Sequence, residues 1–495
     1  GECSMERRSA ARSERGCEAR ESRCVTAIGL ALIALVAATP FFGTGIPRTN
    51  DALPHLYRAF ALSRLVDWGQ LWPRWFPDLV HGYGYPVGNY FPLLAHLAVV
   101  ALHQVGLGIT TAYRLVGTGQ FVLAAWFAYL LGRDEFGPMG GWVAAVGYVT
   151  SPYLLYDAHV RGSLPESLAL SWLPLLILAI RRAAISRGRW LGLVAMAVAA
   201  MMLSHHGILL QILIVLGAWL LWLGYRLGWE HLVHPIAGLL LGGLLSAFFW
   251  LPAVAEAGWI QSDVAIGQGY SFRANFLSLP QLVSWPRLPA DPSLLNPPVV
   301  RSLPFVPLII AAFALPGRWR CLTLRARKCV VGWVIVLCLS VAMTTVLTRP
   351  IWEVLRPLQL TFYPWRFLGP ASLAAAMMAG ASFTEVRAGR GALLALCGFS
   401  AAVLVATAGW LYPPREDVSE DLAMADLMAF EHPPLFIGTT TLGEFLPLWV
   451  DKLPDTSDLR DELAAGEAPD RLTVPPNAHV EAQPGNPSRL SHNLY

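Results

Sequence analysis

The chain has 495 residues, of which 55% are apolar and 14% are charged, and its formal net charge is +3. An ordinary soluble domain carries about 25% charged residues, so the composition excludes a soluble globular protein. The arginines lie in short loops between apolar runs, which gives no reason to expect nucleic acid as a partner.

Apolar runs recur along the chain, and each is close to the ~20 residues that a helix needs to cross a bilayer. We therefore predict an all-α polytopic membrane protein with about 11 transmembrane helices. In chain order the predicted spans are roughly residues 25–43, 113–131, 139–155, 167–181, 190–204, 207–225, 235–256, 303–316, 329–346, 366–383 and 391–411. For the first run a signal peptide is the alternative, because Val36-Ala37-Ala38 resembles a cleavage site.

Short arginine-rich loops mark the cytoplasmic side of a membrane protein. The basic segments that set the orientation here are residues 1–24, Arg181–Arg189, Arg318–Lys328 and Arg387–Arg390. If the short segment Phe91–Gly106 crossed the membrane, the basic loop Arg181–Arg189 would lie outside. We therefore predict that this segment is a helix lying in the outer interface.

This assignment divides the chain into three parts in the cell membrane. Residues 1–24 form a basic cytoplasmic tail, and residues 25–411 form the transmembrane domain. Within that domain, residues 44–112 form a long outer loop that carries interfacial helices. Residues 412–495 are Pro-rich and acidic, and we expect a small or truncated domain on the outer face.

The first candidate site follows the first span. Asp51, His55 and Arg58 are spaced by four and three residues, so on a helix they share one face. A carboxylate at the membrane edge is costly and therefore more often functional than one on a water-exposed surface. We predict that Asp51 is catalytic and that His55 and Arg58 contact substrate. The alternative is that Asn50 or Asp51 caps a helix that begins near Ala52.

A second polar cluster follows the third span, which the topology places on the same face. It contains Asp157, His159, Arg161 and Glu166. A guanidinium can hold a phosphate in bidentate fashion, and two carboxylates can offer oxygens to Mg²⁺ or Mn²⁺. We predict that Asp157 is catalytic, that Arg161 and Glu166 bind substrate, and that Asp157 and Glu166 are the candidate metal ligands. An ordinary polar loop with a local Asp–Arg pair is the alternative.

Two further candidates lie at the same predicted face. His205 and His206 interrupt two spans, and one of them could bind phosphate, although a simple turn explains them equally well. Arg366 precedes a span and could reach a lipid phosphate, with interfacial anchoring of this segment as the alternative. The sequence has no P-loop, HExxH or GxSxG motif, and we expect no nucleotide as cofactor. It also lacks the zinc-histidine triad of a soluble pterin enzyme, so we expect no pterin either.

The order of these features resembles the GT-C superfamily of integral-membrane glycosyltransferases. A more specific resemblance is to bacterial membrane proteins labelled 6-pyruvoyl-tetrahydropterin synthase-related, although the chain has no zinc-histidine triad of a soluble pterin synthase. The strings that carry the resemblance are Asp51–Arg58, Pro73–Asp78, Gly82–Pro86, Tyr156–Gly162, Tyr363–Phe367 and Gly438–Pro447.

The resemblance implies a polyprenyl-phosphate-linked sugar as donor. It implies that Asp51 is a general base or orients the acceptor, and that Asp157, with Glu166, holds a divalent cation or the acceptor. Donor-phosphate contacts would then come from the cationic candidates Arg161, His205 or His206, and Arg366.

From these features we predict a glycosyltransferase that acts at the outer membrane face on a glycan, lipid or protein acceptor. Two alternatives stay open. One is a non-catalytic GT-C-like protein that binds a lipid-linked sugar or serves as a scaffold. The other is a transporter or flippase of a lipid-linked precursor, against which the scarcity of charges within the spans argues only mildly.

Overall fold

The computed structural model describes residues 24–186, 188–261, 271–285, 301–384, 386, 389–431, 436–441, 443–451, 456–466, 480–482 and 492–494. The predicted cytoplasmic tail lies outside the described residues except for Cys24, and so do Arg187 and Arg387 of the predicted basic loops.

Helices dominate the described residues, which confirms the predicted all-α class. The α-helices are Cys24–Ala37, Ala52–Asp67, Val87–Tyr90, Leu94–Gln104, Ile109–Val149, Pro152–Tyr156, Leu164–Ile185, Leu191–Leu227, Val233–Leu245, Ala247–Ala255, Leu279–Leu282, Phe305–Arg318, Leu324–Met343, Arg349–Val354, Arg356–Gln359, Leu368–Ala381, Arg390–Thr407, Met424–Phe430 and Asp458–Ala464. Two antiparallel ribbons pair Ile46–Pro47 with Arg415–Glu416 and Val480–Ala482 with His492–Leu494.

The helical segment Ile109–Val149 is a hairpin rather than one straight rod. It breaks at Gly137, where φ is 83° and ψ is 178°. A Cβ placed on Gly132 would lie 2.8 Å from the Cβ of Ala144, whereas a straight helix separates residues twelve apart by ~18 Å. The two arms therefore run antiparallel and correspond to the predicted spans 113–131 and 139–155.

A second hairpin forms in the segment Leu191–Leu227. It breaks at His205, where φ is −155° and ψ is 94°. The residues that flank the two arms meet at the other end, where His231 Nδ1 and the Ala184 carbonyl oxygen are 2.8 Å apart. The predicted turn at His205-His206 thus connects two antiparallel arms.

Five described helical segments are long and apolar enough to cross a membrane, or six when one bent pair is counted as a single span. They are Ile109–Arg161, Leu164–Ile185, Leu191–Leu227, Leu324–Met343, Arg390–Trp410 and the pair Trp229–Leu245 with Ala247–Ala255. The protein is a multi-pass membrane protein, while the predicted number of about 11 spans and the orientation of the termini stay predictions.

The predicted interfacial segment contains the helix Leu94–Gln104. Its 11 residues rise only about 16 Å, half of the ~30 Å that a hydrocarbon core requires. The prediction that this helix does not cross is consistent with its length.

One end of the helical bundle gathers charges from several predicted cytoplasmic loops. Arg181 and Arg182 both form ion pairs with Asp134 in the turn of the first hairpin, and Arg325 Nη2 lies 4.0 Å from the same carboxylate. The adjacent Glu135 accepts a hydrogen bond of 2.6 Å from the Trp333 indole. These loops therefore share one face of the protein, as their arginine content predicted.

At the opposite end, the C-terminal segment packs on the long loop 44–112. A separate apolar core forms between them, built from Leu62, Leu65, Phe76, Leu79, Tyr85, Leu93, Met424, Leu427, Ile437 and Leu463. The carboxylate of Glu431 accepts hydrogen bonds from the backbone N–H groups of Val80, His81 and Gly438, at 2.8–2.9 Å. Val80 and His81 both have positive φ, so their N–H groups converge on one anion.

Candidate functional site

Asp51 stands at the start of the helix Ala52–Asp67, and its side chain is not used for capping. Instead, Thr49 Oγ1 accepts a hydrogen bond of 3.1 Å from the backbone N–H of Ala52. The Asp51 carboxylate therefore reaches the Arg161 guanidinium at 3.5 Å, and 28% of its side chain stays exposed. Burial raises the pKa of Asp51, and the charge of Arg161 opposes that rise.

Arg161 is positioned by a π-helical turn over Asp157–Arg161. The N–H of Gly162 donates to the Asp157 carbonyl oxygen, five residues back, at 2.9 Å. Gly162 has φ 76°, and a Cβ there would lie 2.0 Å from Thr49 Oγ1. The turn thus brings the second predicted cluster against the first, and such wide turns within helices are frequent at functional sites.

Two carboxylates lie behind the guanidinium of Arg161. Asp157 and Glu166 both form ion pairs with it, and both side chains are 0% exposed. The Ser167 hydroxyl donates to Asp157 at 2.8 Å, and the Tyr153 hydroxyl donates to Glu166 at 2.6 Å. The Asp157 and Glu166 carboxylates therefore contact the Arg161 guanidinium and buried hydroxyl donors.

Arg366 joins the same network from a different part of the chain. It lies in the short 3₁₀ turn Pro364–Phe367, and its Nε donates to Glu166 Oε2 at 2.8 Å. His205 lies between them, with its Nε2 3.7 Å from Glu166 and 3.4 Å from Arg366 Nη2. The structure thus brings together the predicted site residues Asp51, Asp157, Arg161, Glu166, His205 and Arg366.

Three other predicted site residues lie outside this ion-pair network. His206 stacks on the His205 ring at 6.1 Å and faces Phe249. His55 Nδ1 and His96 Nε2 are 3.2 Å apart, and both rings are buried.

Arg58 points into the interface with the C-terminal segment. Its Nη2 donates to the Thr439 carbonyl oxygen at 2.5 Å, and its guanidinium covers the Phe91 ring at 4.1 Å. Only 2% of Arg58 is exposed. Its contacts with Thr439 and Phe91 are therefore those of a residue packed inside the interface. Its predicted role in substrate binding, like those of His55 and His206, stays a prediction.

The predicted metal ligands do not form a ligand set by themselves. Asp157 and Glu166 both pair with the Arg161 guanidinium, and Glu166 pairs with Arg366 as well. Within the described part of the chain, no group of three or more His, Cys, Asp and Glu side chains could hold a metal ion. The residues present do not fit a divalent cation, and the predicted requirement for one stays a prediction.

Sequence reasoning overlooked Arg301 beside the network. Its Nε donates to the Tyr156 hydroxyl at 3.0 Å, and its guanidinium lies 4.5 Å from the Trp365 ring centre. The Arg161 guanidinium also lies near the Trp365 ring, 5.4 Å from its centre. Among the described residues no carboxylate lies within ion-pair distance of Arg301. Arg301 stands directly before a predicted span, as Arg366 does, and this position could have marked it as a candidate site residue.

The fold is similar to solved membrane glycosyltransferases. Arabinofuranosyltransferase AftD from mycobacteria matches with a TM-score of 0.53 and 18% identity over 88% of this chain and 32% of that chain. ArnT from Cupriavidus metallidurans bound to undecaprenyl phosphate gives a TM-score of 0.49 and 14% identity, covering 78% of this chain and 64% of that one. The Archaeoglobus fulgidus oligosaccharyltransferase gives 0.48 and 14%, with 83% and 57% covered.

These solved proteins are GT-C glycosyltransferases, and the likeness to AftD shows that this chain shares the fold of that protein. The chain spans 32% of the AftD chain, and at this identity the likeness concerns the fold alone. No protein-family model and no curated protein matches the sequence. The narrower resemblance to proteins labelled 6-pyruvoyl-tetrahydropterin synthase-related is not confirmed by these comparisons.

Proposed function

We propose that this chain is a glycosyltransferase that moves a sugar from a polyprenyl-phosphate donor to an acceptor at the outer membrane face. One observation carries the proposal: a partly exposed carboxylate, Asp51, pairs with Arg161, and two buried carboxylates hold Arg161 and the neighbouring Arg366 in place. The cluster lies at one end of an apolar helical bundle with a GT-C-type fold. A reaction between a lipid-linked donor and an acceptor outside the bilayer requires such a position.

In the proposed reaction Asp51 is the general base. Its carboxylate accepts the proton of an acceptor hydroxyl while that oxygen forms a bond to the anomeric carbon of the sugar. The bond between this carbon and the phosphate oxygen breaks, and polyprenyl phosphate leaves with the electron pair. Because burial raises the pKa of Asp51, its carboxylate is a stronger base than an ordinary aspartate.

Arg161 and Arg366 supply positive charge for the departing phosphate. Asp157 and Glu166 fix both guanidinium groups before substrate arrives, so little reorganisation is needed during the reaction. Since Asp157 is fully buried, we propose that it acts as a positioning residue rather than by direct contact with substrate. No step is assigned to a metal ion.

Arg301 is the proposed first contact of the donor phosphate. Stacking on Trp365 orients its guanidinium, and the contact with Tyr156 leaves other N–H groups for an anion. Replacing Arg301 with Gln should raise the donor KM about tenfold or more, as expected for a lost charged hydrogen bond, with a smaller effect on kcat. Arg273→Gln, at an exposed Arg–Glu pair, should change neither, and equal effects of the two variants would contradict the assignment.

The main test is mass spectrometry of lipids that co-purify with wild-type protein and with Asp51→Asn in mild detergent. Asp417→Asn, an exposed acid of the C-terminal segment, is the control. A polyprenyl-phosphate sugar enriched on Asp51→Asn, with free polyprenyl phosphate on the wild type and the control, would support a transferase stalled before transfer.

Other outcomes point to the alternative functions. Equal amounts of intact donor on all three proteins would contradict transfer and favour a binding protein. Movement of the donor across a vesicle membrane by Asp51→Asn at the wild-type rate, without covalent transfer, would favour a flippase.

A further inference from the structure

An exposed apolar strip continues from the membrane-spanning surface onto the C-terminal segment. It begins on the bent helix pair and includes the exposed side chains of Leu240, Leu244, Leu251, Val254, Trp259, Leu448 and Trp449. The last three are 59%, 57% and 72% exposed. Leu448 and Trp449 thus extend this exposed apolar surface with residues that lie nearly 200 positions later in the chain.

Hydrogen bonds hold Leu448 and Trp449 at a fixed place beside the bent helix pair. The N–H of Leu448 donates to the Trp259 carbonyl oxygen at 2.9 Å, and the N–H of Gln261 donates to the Leu446 carbonyl oxygen at 2.9 Å. The Gln261 side chain also donates to the Pro447 and Val450 carbonyl oxygens at 3.0 and 2.7 Å. The two exposed side chains therefore belong to an ordered turn and not to a free tail.

The position of the helix Ala247–Ala255 indicates how deep the Leu448–Trp449 turn lies relative to the membrane. This helix is bent by 69° from the preceding helix, so it does not continue straight along the span. Its buried side chain Phe249 meets the outer loop, where the Trp72 ring lies 5.9 Å away, and the turn of the second hairpin, where the His206 ring lies 6.0 Å away. A bent helix at the bundle end, with one exposed apolar edge, has the features of a helix lying in the bilayer interface.

We propose that Leu448 and Trp449 insert into the interface of the leaflet that faces the candidate site, so that a lipid surface binds the C-terminal segment. Tryptophan favours the headgroup zone because its ring is apolar while its indole N–H can hydrogen-bond. The same C-terminal segment carries Thr439, which binds Arg58. Membrane contact at Trp449 thereby also places the outer loop that carries Asp51.

A soluble glycan is the rival occupant, because sugars stack on exposed tryptophan. Continuity favours lipid: Trp259 and Leu251 lie on the same exposed apolar strip, directly after the apolar helical segment Trp229–Leu245. Charged residues occupy one described helix of this segment, Asp458–Ala464, whose side chains include Asp458, Asp461 and Glu462. That helix is therefore expected in water.

The test places a polarity-sensitive fluorophore at position 449 or at position 464. The variants Trp449→Cys and Ala464→Cys are made in a full chain whose seven native cysteines are replaced, after its thermal unfolding is matched to that of the wild type. If that background does not fold, a fluorescent amino acid is incorporated at the same two positions of the wild-type chain. The protein is reconstituted in phosphatidylcholine–phosphatidylglycerol vesicles with or without nitroxide-labelled lipid.

The proposal expects blue-shifted emission at position 449, with at least twofold quenching by nitroxide lipid, and water-like unquenched emission at position 464. Water-like emission without quenching at both positions would overturn it. So would emission at position 449 that responds to added oligosaccharide and not to nitroxide lipid. Because the readout needs no turnover, failure of the transferase assay would leave this result unaffected.

Discussion

Asp51 and Arg161 are joined twice. The backbone N–H of Asp51 donates to the Arg161 carbonyl oxygen at 2.8 Å, and the two side chains form an ion pair at 3.5 Å. The backbone contact fixes the distance between the first outer loop and the π-helical turn. The ion pair opposes the rise in the pKa of Asp51 that burial causes. The geometry of the candidate base therefore depends on two segments that lie about a hundred residues apart in the chain.

Replacing Arg161 with Lys should move the low-pH side of the pH–rate profile to higher pH. Burial already raises the pKa of Asp51 above its ordinary 3.8, and Arg161 is the main group that opposes the rise. A lysine interacts less well with a planar carboxylate, so the pKa rises further. Only the ionised carboxylate accepts a proton, hence activity is lost at a higher pH. The measurement is kcat/KM against pH.

Arg349→Lys is the control for this shift. Arg349 forms an exposed pair with Glu353 four residues along its helix, and such pairs contribute little. Its profile should match that of the wild type. An unchanged low-pH limb in Arg161→Lys would contradict the assignment of Asp51 as the base.

Gly162→Ala should separate the two segments that Asp51 and Arg161 join. The new Cβ would lie 2.0 Å from Thr49 Oγ1 and 3.0 Å from the Ala52 backbone nitrogen. A shift of about 1 Å at the site is expected to reduce kcat/KM about 100-fold. Gly69→Ala is the matched control, since Gly69 also has positive φ but would meet no atom within 4 Å. It should cost only about 1 kcal/mol of stability, and equal loss of activity in both variants would show that backbone strain alone is responsible.

The sequence was sufficient to predict which polar clusters share one end of the bundle. Arginine placement in the loops and the apolar runs put Asp51 and Asp157 on one face, and their common partner Arg161 confirms that they converge. The hairpin turns at Gly137 and His205 likewise fall in the gaps between predicted spans, after residue 131 and after residue 204.

Long-range partners could not be predicted from the sequence. Asp51, His55 and Arg58 share a helix face in sequence, yet Arg58 binds Thr439, 381 residues away, and His55 contacts His96. Nothing local to Arg58 indicates a partner in the C-terminal segment, so its packing role was invisible. Arg301 was overlooked for the same reason, because Tyr156 and Trp365, which orient it, lie far from it in the chain.

Asp134→Asn should destabilise the end of the bundle opposite the candidate site. Arg181 is 3% exposed and pairs with the Asp134 carboxylate as well as with Glu135 at 3.6 Å, and Arg182 pairs with Asp134 too. Removing one partner of a buried ion pair costs about 3–5 kcal/mol, measurable by reversible unfolding in mixed micelles. Glu353→Gln, at an exposed pair, should leave stability unchanged. An equally small effect of Asp134→Asn would show that water reaches this cluster and screens it.

Glu431→Gln should loosen the attachment of the C-terminal segment to the outer loop. The buried Glu431 carboxylate, 1% exposed, receives the N–H groups of Val80 and His81 on its two oxygens. A glutamine replaces one oxygen with an NH₂ group, which cannot accept a hydrogen bond and turns a donor toward a donor. A buried donor left without its acceptor costs about 1–3 kcal/mol. Faster amide hydrogen exchange is expected around Val80 and in the helix Met424–Phe430.

Glu420→Gln provides the matched comparison on the same segment. Glu420 also accepts a backbone N–H, from Thr111 at 2.9 Å, and pairs with Arg114, but 43% of its side chain is exposed. Water can replace the lost interaction there, so exchange should rise less than in Glu431→Gln. If Glu431→Gln changed exchange only near residue 431 and not around Val80, the carboxylate would not be what holds the loop. Since this loop also carries Asp51, a real loosening should reduce kcat/KM in Glu431→Gln more than in Glu420→Gln.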